Sequence, residues 1–310
     1  MPSTTNATWV DLLDPTEAEL MQALPAGVHA VAIETYLRRH DDDPRPRLVA
    51  DGEYLFGTFV IPKVNELTDD EDTVTYQEVD LYIALDRLVT IRKTPSEGGD
   101  PFPLELVEGA VHAARDQRPG TWTYLLFDAF AEGYLDLVDA LHAEIDRLED
   151  NVEVWDNDKV RSRISGLRHE LLKVRRTLSP FRDLVRAIVD DRIELEGGEE
   201  LFTKELEVHF GDAYDKMLRA SEGVDFARDL LSGVRDYAQA KVANDQNDVM
   251  KRLTVVASLL LVPTFVVGVY GQNFDHIPEL HWHYGYFMSW GLIALITAGQ
   301  LWYFKRKRWT

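Results

Sequence analysis

The chain has 310 residues, 45% of them hydrophobic, no cysteine and a formal net charge of -21. That length supports one or two folded units with a real core, and the missing thiols exclude disulfides and cysteine-ligated zinc or iron–sulfur centres. Six Lys and Arg against two acids make residues 250–310 basic at +4, leaving -25 on residues 1–249; so acidic a portion argues against nucleic acid or anionic lipid as its partners and favours cations, or serves solubility alone.

The N-terminal stretch MPSTTNATWVDLLDP lacks the basic and apolar regions of a secretory signal. RLVADGEYLFGTFVIPKV reads as strand–turn–strand around Asp51–Gly52, and VTYQEVDLYIALDRLVTIRK as a second pair alternating through Val79, Leu81, Ile83 and Leu85. LPAGVHAVAIETYLRR and PFPLELVEGAVHAA have helical patterns, so residues 1–133 are expected to form a small α/β domain. From about Tyr134 the pattern changes to long helices. YLDLVDALHAEIDRLEDNVEV keeps Leu137, Leu141, Ile145 and Leu148 on one side, and a second helix follows with an expected interruption at Ser179–Pro180. These paired helices occupy 134–200, ending in ELEGGEE. Residues 201–252 then form a stalk helix, free of proline, that runs into an apolar segment; a helix of about 70 residues spans roughly 100 Å. Asp212, Asp215, Glu222, Asp225, Asp229, Asp236, Asp245 and Asp248 all lie on the stalk. Around an oligomer axis such charges repel unless cations screen or bridge them; singly, each reads as part of a solvated rim.

Residues 253–274 and 284–304 carry no charge, and each matches the roughly 20 residues that cross a hydrocarbon layer. Lys251–Arg252 precede the first span and Lys305–Arg308 follow the second, whereas the loop 275–283 has Asp275 and Glu279 and no Lys or Arg. The positive-inside rule therefore puts both termini in the cytoplasm, with a basic tail at 305–310 and the loop outside a cytoplasmic membrane. Two helices cannot enclose a polar path alone, so a transporter built this way must be an oligomer. A two-helix anchor is the bland alternative.

Alternating steps of three and four from Asn247 pass through Met250, Thr254, Ala257, Leu261, Thr264, Gly268 and Gly271, a single helix face with Leu253 at its edge. Small residues promote close helix packing in membranes. They also leave room along an axis, where Thr hydroxyls and amide oxygens can touch a hydrated ion and Met250, Leu253 and Leu261 can form dewetting constrictions. Asn247 at one end and Asn273 at the other tilt the choice toward a pore, because amides in lipid need a reason. Magnesium dehydrates reluctantly, and neutral amide oxygens at Asn273 accept hydrogen bonds from its waters without stripping them. Asp275 and Glu279 would concentrate cations outside the mouth.

NDVMKRLTVVASLLLVPTFVVGVYGQNF, followed by IPEL and WHYGY, resembles the CorA family of divalent-cation transporters. Gly271 and Asn273 match its Gly-Met-Asn signature, with Gln272 in the middle position, and Ile277–Leu280 is similar to its outer loop. The likeness extends through the stalk and thins before residue 130. It implies an α+β fold: a cytoplasmic α/β domain, a long stalk bundle and two C-terminal transmembrane helices in a funnel-shaped homopentamer. It further implies that Gly271, Gln272 and Asn273 form the selective entrance and that Asn247, Met250, Leu253 and Leu261 hold pore and gate positions. Asp212 would bind regulatory Mg2+ between subunits, opposite Asp80 or Asp86, holding the pentamer closed when magnesium is high. Gln272, with His276, His281 and His283 nearby, keeps a zinc transporter of the same fold as the alternative, and Co2+ or Ni2+ could accompany Mg2+.

No GxxxxGK[ST] loop supports active pumping, and no HExxH, GxSxG or GxGxxG supports an enzyme. The expectation is passive influx of hydrated Mg2+ through a gated channel without organic cofactor; a membrane-anchored metal sensor that does not transport is the other class.

Overall fold

Three antiparallel pairings and one parallel, long-range pairing build the sheet. In the computed structural model, which describes residues 7–38, 45–64, 74–95, 99–193, 195–196, 200–273, 275, 277, 282–307 and 309, β1 (Thr8–Leu13), β2 (Arg47–Asp51), β3 (Tyr54–Val64), β4 (Val74–Ala84) and β5 (Arg87–Lys93) form one sheet in the order β1-β5-β4-β3-β2. Gly52, at φ 63°, makes the tight β2–β3 turn that a side chain would resist. Both expected hairpins are present, and β1 closes the other edge by pairing parallel with β5.

Between β1 and β2 lie α1 (Glu17–Ala23) and α2 (Ala30–Leu37); a capping box of Thr16 and Glu19 starts α1. Leu20, Leu24, Ala32 and Tyr36 from these helices meet Phe56, Tyr82, Val89 and Ile91 on one face of the sheet. The other face is aromatic. Phe59 stacks among Phe127 and Phe130 of α4 (Pro119–Asn151) and Phe181 of α5 (Asn157–Val189). Tyr134 is fully buried there, and its hydroxyl donates to the Val60 carbonyl at 2.7 Å. The short α3 (Glu105–Ala113) precedes α4.

Two differences from expectation have the same cause. Helix α4 begins at Pro119, well before Tyr134, and α5 continues through Pro180 without a break. Residues 119–134 are buried on several sides, which erases the one-faced period that marks a surface helix. Pro180 loses one backbone bond, but Phe181 beside it is clamped by four aromatic rings.

Contacts divide the chain into residues 1–234 and 235–310, and α6 (Lys204–Tyr270) contributes to both. In the first unit its buried residues are Leu206, Phe210, Ala213, Met217, Ala220, Val224, Ala227, Leu231 and Val234. They alternate by four and three, the spacing of a coiled-coil seam. Ala213, Ala220 and Ala227 repeat every seven residues, and at Gly223, where a Cβ would stand 2.5 Å from Val138, the backbone carbonyl receives His142 Nε2 at 3.0 Å. The second unit holds the rest of α6 and α7 (Gly285–Arg306).

Candidate ion pathway

On the membrane-length part of α6, shielding follows one side only. Val255 and Val266 are buried and Ser258, Leu259, Val262, Pro263 and Tyr270 are half-buried. A hydrogen bond from α7 reaches this side at Ser258, so it is the side that faces α7. Asn247, Met250, Thr254, Ala257, Leu261, Thr264, Gly268 and Gly271 are all exposed; at about 100° per residue they lie roughly opposite. Both segments pass the length and apolarity required of a membrane span, and their apolar windows are only 11% and 6% buried. The core helix of a soluble domain would be mostly covered.

The exposed stripe has a definite chemistry. Thr254 Oγ1 donates to the Met250 carbonyl at 2.8 Å and Thr264 Oγ1 to the Leu260 carbonyl at 2.7 Å. Each hydroxyl proton is thus committed to the backbone, and the oxygen lone pairs remain to accept hydrogen bonds from the waters of a cation. Met250, Leu253 and Leu261 are 59%, 59% and 70% exposed, an apolar surface that needs a covering partner or a constriction to serve. The helix closes where Gly271 N–H reaches the Val267 carbonyl at 2.8 Å. A Cβ on Gly271 would stand 3.0 Å from that same carbonyl, so glycine suits the close approach. Gln272, Asn273 and Asp275 are exposed beyond it. Glu279, His276 and His281 lie outside the described residues; His283 is exposed.

The acids expected at a regulatory site are not alike. Asp212 is exposed and lines a surface cavity of about 630 Å³ with Tyr124, Asp128, Asp215, Lys216 and Arg219. Lys216 Nζ sits 2.7 Å from Asp128 and 2.5 Å from Glu132. Burial alone would lower this ammonium's pKa, but the two carboxylates hold it above its ordinary value. Asp212 and Asp215, one helical turn apart, are the carboxylates left to meet a divalent cation, which suits Mg2+ retaining most of its waters. Among the described residues no three His, Asp or Glu side chains form a metal-binding group.

Asp80 does not fit the place expected for it opposite Asp212. It is fully buried on β4, with Lys93 Nζ 2.6 Å from its Oδ2 and 2.6 Å from Glu78 Oε1. Burial raises its pKa to about 6, with Glu78 adding to the rise and Lys93 opposing it. A carboxylate enclosed this way is not presented to a neighbour. Asp86, in the β4–β5 turn, is 48% exposed beside Arg87. Sequence reading missed Asp128 and Lys216 because their pairing joins α4 to α6 across 88 residues; the local signal is only Asp128 and Glu132 one turn apart on α4.

A sheet-and-helix domain and two membrane-length helices, the first continuous with a long helix, give a chain with two candidate membrane spans. The profile described as "CorA-like Mg2+ transporter protein" matches residues 5–306, and the chain belongs to this family. Among its relatives, YfjQ of Bacillus subtilis is 31% identical over 97% of this chain and 89% of its own length. The cobalt/magnesium transport protein CorA of Thermotoga maritima is 27% identical, covering 97% and 83%. The complete structure of the CorA magnesium transporter from Methanocaldococcus jannaschii superposes with a TM-score of 0.78 over 98% of this chain and 92% of that one, at 22% identity. The α+β fold with two apolar C-terminal helices is therefore that of the family.

Proposed function

We propose that this chain is the subunit of a gated homopentameric channel that passes hydrated Mg2+, with Co2+ or Ni2+ as companions, into the cytoplasm. The observation that carries the reading is the exposed stripe on α6. It runs from Asn247 to Gly271, points away from α7 and offers hydroxyl oxygens whose protons are already used. One such helix cannot shield an ion from lipid; five around an axis can. Asn273, Gly271 and Gln272 form the entrance, where amide oxygens hold the ion's waters, and Asp275 and Glu279 raise the local cation concentration. Met250, Leu253 and Leu261 narrow the path. The basic residues flanking both spans support cytoplasmic termini in the inner membrane.

Closure at high Mg2+ is assigned to Asp212, and Asp86 of a neighbouring copy is the better opposing acid because Asp80 is enclosed. Bound cations would offset the repulsion between such acids and favour the assembled, closed arrangement.

The test is ion uptake by proteoliposomes containing the full-length protein, with Mg2+, Co2+ and Zn2+ compared directly and Asn273→Ala as control. Mg2+ uptake at least tenfold reduced by Asn273→Ala is expected, together with a pentameric mass in native mass spectrometry. Zinc uptake without Mg2+ uptake would transfer the protein to the zinc alternative and bring Gln272 and His283 forward. An intact, metal-stripped protein that moves no ion would leave the anchored sensor.

A further inference from the structure

Polar side chains are sparse on the two spans, and one of them crosses between helices. The amide Nε2 of Gln300 on α7 donates to the backbone carbonyl of Ser258 on α6 at 3.3 Å. Among the described residues this is the only side-chain hydrogen bond joining the spans. Oε1 of the same amide and Oγ1 of Thr297, one turn earlier, are enclosed without hydrogen-bond partners. An amide is expensive in hydrocarbon, and an aliphatic side chain would fill the same space; what Gln300 adds is the bond to Ser258.

The position of that bond matters. Ser258 adjoins Ala257 and stands one turn before Leu261, both on the exposed stripe. Pro263 follows within the same helix, and it has no N–H for the carbonyl of Leu259. The backbone ladder of α6 is thus weakest beside the carbonyl that Gln300 engages. We propose that Gln300 is a positioning residue for conduction: from outside the pathway it fixes the rotation of α6 beside Pro263, and so the placement of the Leu261 constriction. This inference rests on the reading of α6 as the pore-lining helix. Gln300 never touches the ion, so it sets how much ion passes and leaves the preference among ions alone.

The experiment uses the full-length protein in proteoliposomes, with Mg2+ uptake measured at about pH 5.5 and about pH 9. Gln300→Met keeps the volume and loses the donor. Gln300→Asn keeps the amide and loses the reach. Both are expected to shift uptake about fivefold from wild type at either pH, the effect of one hydrogen bond on an equilibrium, with the order of Mg2+, Co2+ and Zn2+ unchanged. Gln300→Glu is expected to match wild type at the acid pH, where a lipid-enclosed carboxyl keeps its proton and donates to Ser258. At the alkaline pH it should lose that match. Wild-type uptake that is normal and unaffected by Gln300→Met and Gln300→Asn overturns the role of Gln300 while leaving the pore reading in place. A Gln300→Glu variant that tracks Gln300→Met at acid pH overturns it too. Absent wild-type uptake strikes the pore reading itself, and this inference falls with it.

Discussion

Replacing Asp80 with Asn probes the interior of the sheet through its pH dependence. Lys93 brings one positive charge to two buried carboxylates, Glu78 and Asp80. Burial, with Glu78 adding to it, lifts Asp80 from 3.8 to about 6 in spite of Lys93. In the unfolded chain the group titrates near 3.8. Between those values the folded protein holds a proton that the unfolded chain has released, so stability falls as pH rises through the interval. A rise of about two units corresponds to roughly 3 kcal/mol, negligible below about pH 4 and fully expressed above about pH 6. Asn keeps the shape of the side chain and removes its charge. Asp80→Asn is therefore expected to unfold like wild type near pH 4 and to be the more stable protein at pH 7.5, by up to about 3 kcal/mol. For a chain of this size that is several degrees in midpoint. Thermal unfolding of the detergent-solubilised protein, followed by circular dichroism from pH 4.5 to 7.5, reads the difference directly. A gap between the two proteins that does not change with pH would refute the reasoning, because a purely steric effect of Asn carries no proton.

Further outcomes follow from the packing of α4 and α6. Gly120→Ala would place a Cβ 2.3 Å from the Leu201 carbonyl; with backbone as the obstacle, a loss of about 1–3 kcal/mol is expected, seen as a lower unfolding midpoint with fully assembled protein at low temperature. Lys216→Met frees Asp128 and Glu132 from their internal cation and returns a carboxylate to the cavity of Asp212 and Asp215. The Mg2+ concentration that shuts proteoliposome uptake should fall on the order of tenfold, since added ligand charge tightens divalent-cation sites; an unchanged midpoint would separate this cavity from regulation.

Local signals made much of the fold readable, and their limits are physical. The β2–β3 hairpin announces itself in Asp51–Gly52, whose glycine takes the required positive φ. Strand β1 has no such mark. Its TWVDLL pairs with β5 in parallel, and the contact between Trp9 and Thr90 spans 81 residues, a pairing that no local pattern encodes. The start of α4 was obscured by the opposite condition, an excess of apolar neighbours. Phe127 and Phe130 meet Phe59 of the sheet, and Phe127 also meets Phe210 of α6, so the apolar side is broad and the polar side reduces to a narrow strip at Asp128 and Glu132.

The site divides along the same line. The Asn247–Gly271 stripe is visible in sequence because a helix repeats its faces every three or four residues, whatever surrounds it. Side-chain partners do not repeat. Asp86 lies in the β4–β5 turn, whereas Asp80 lies within β4 and shares its side of the strand with Glu78 and Tyr82, facing inward. An inward acid contradicts the usual rule for buried charge until Lys93, opposite Glu78 on β5, is seen to complete the cluster. Lys216 with Asp128, and Gln300 with Ser258, follow the same logic. Each is an ordinary polar residue in sequence, and each acquires its role from a partner that only the folded chain brings within reach. The stripe is a property of one helix and shows in its repeat, whereas these contacts join elements far apart in sequence and show only in the fold.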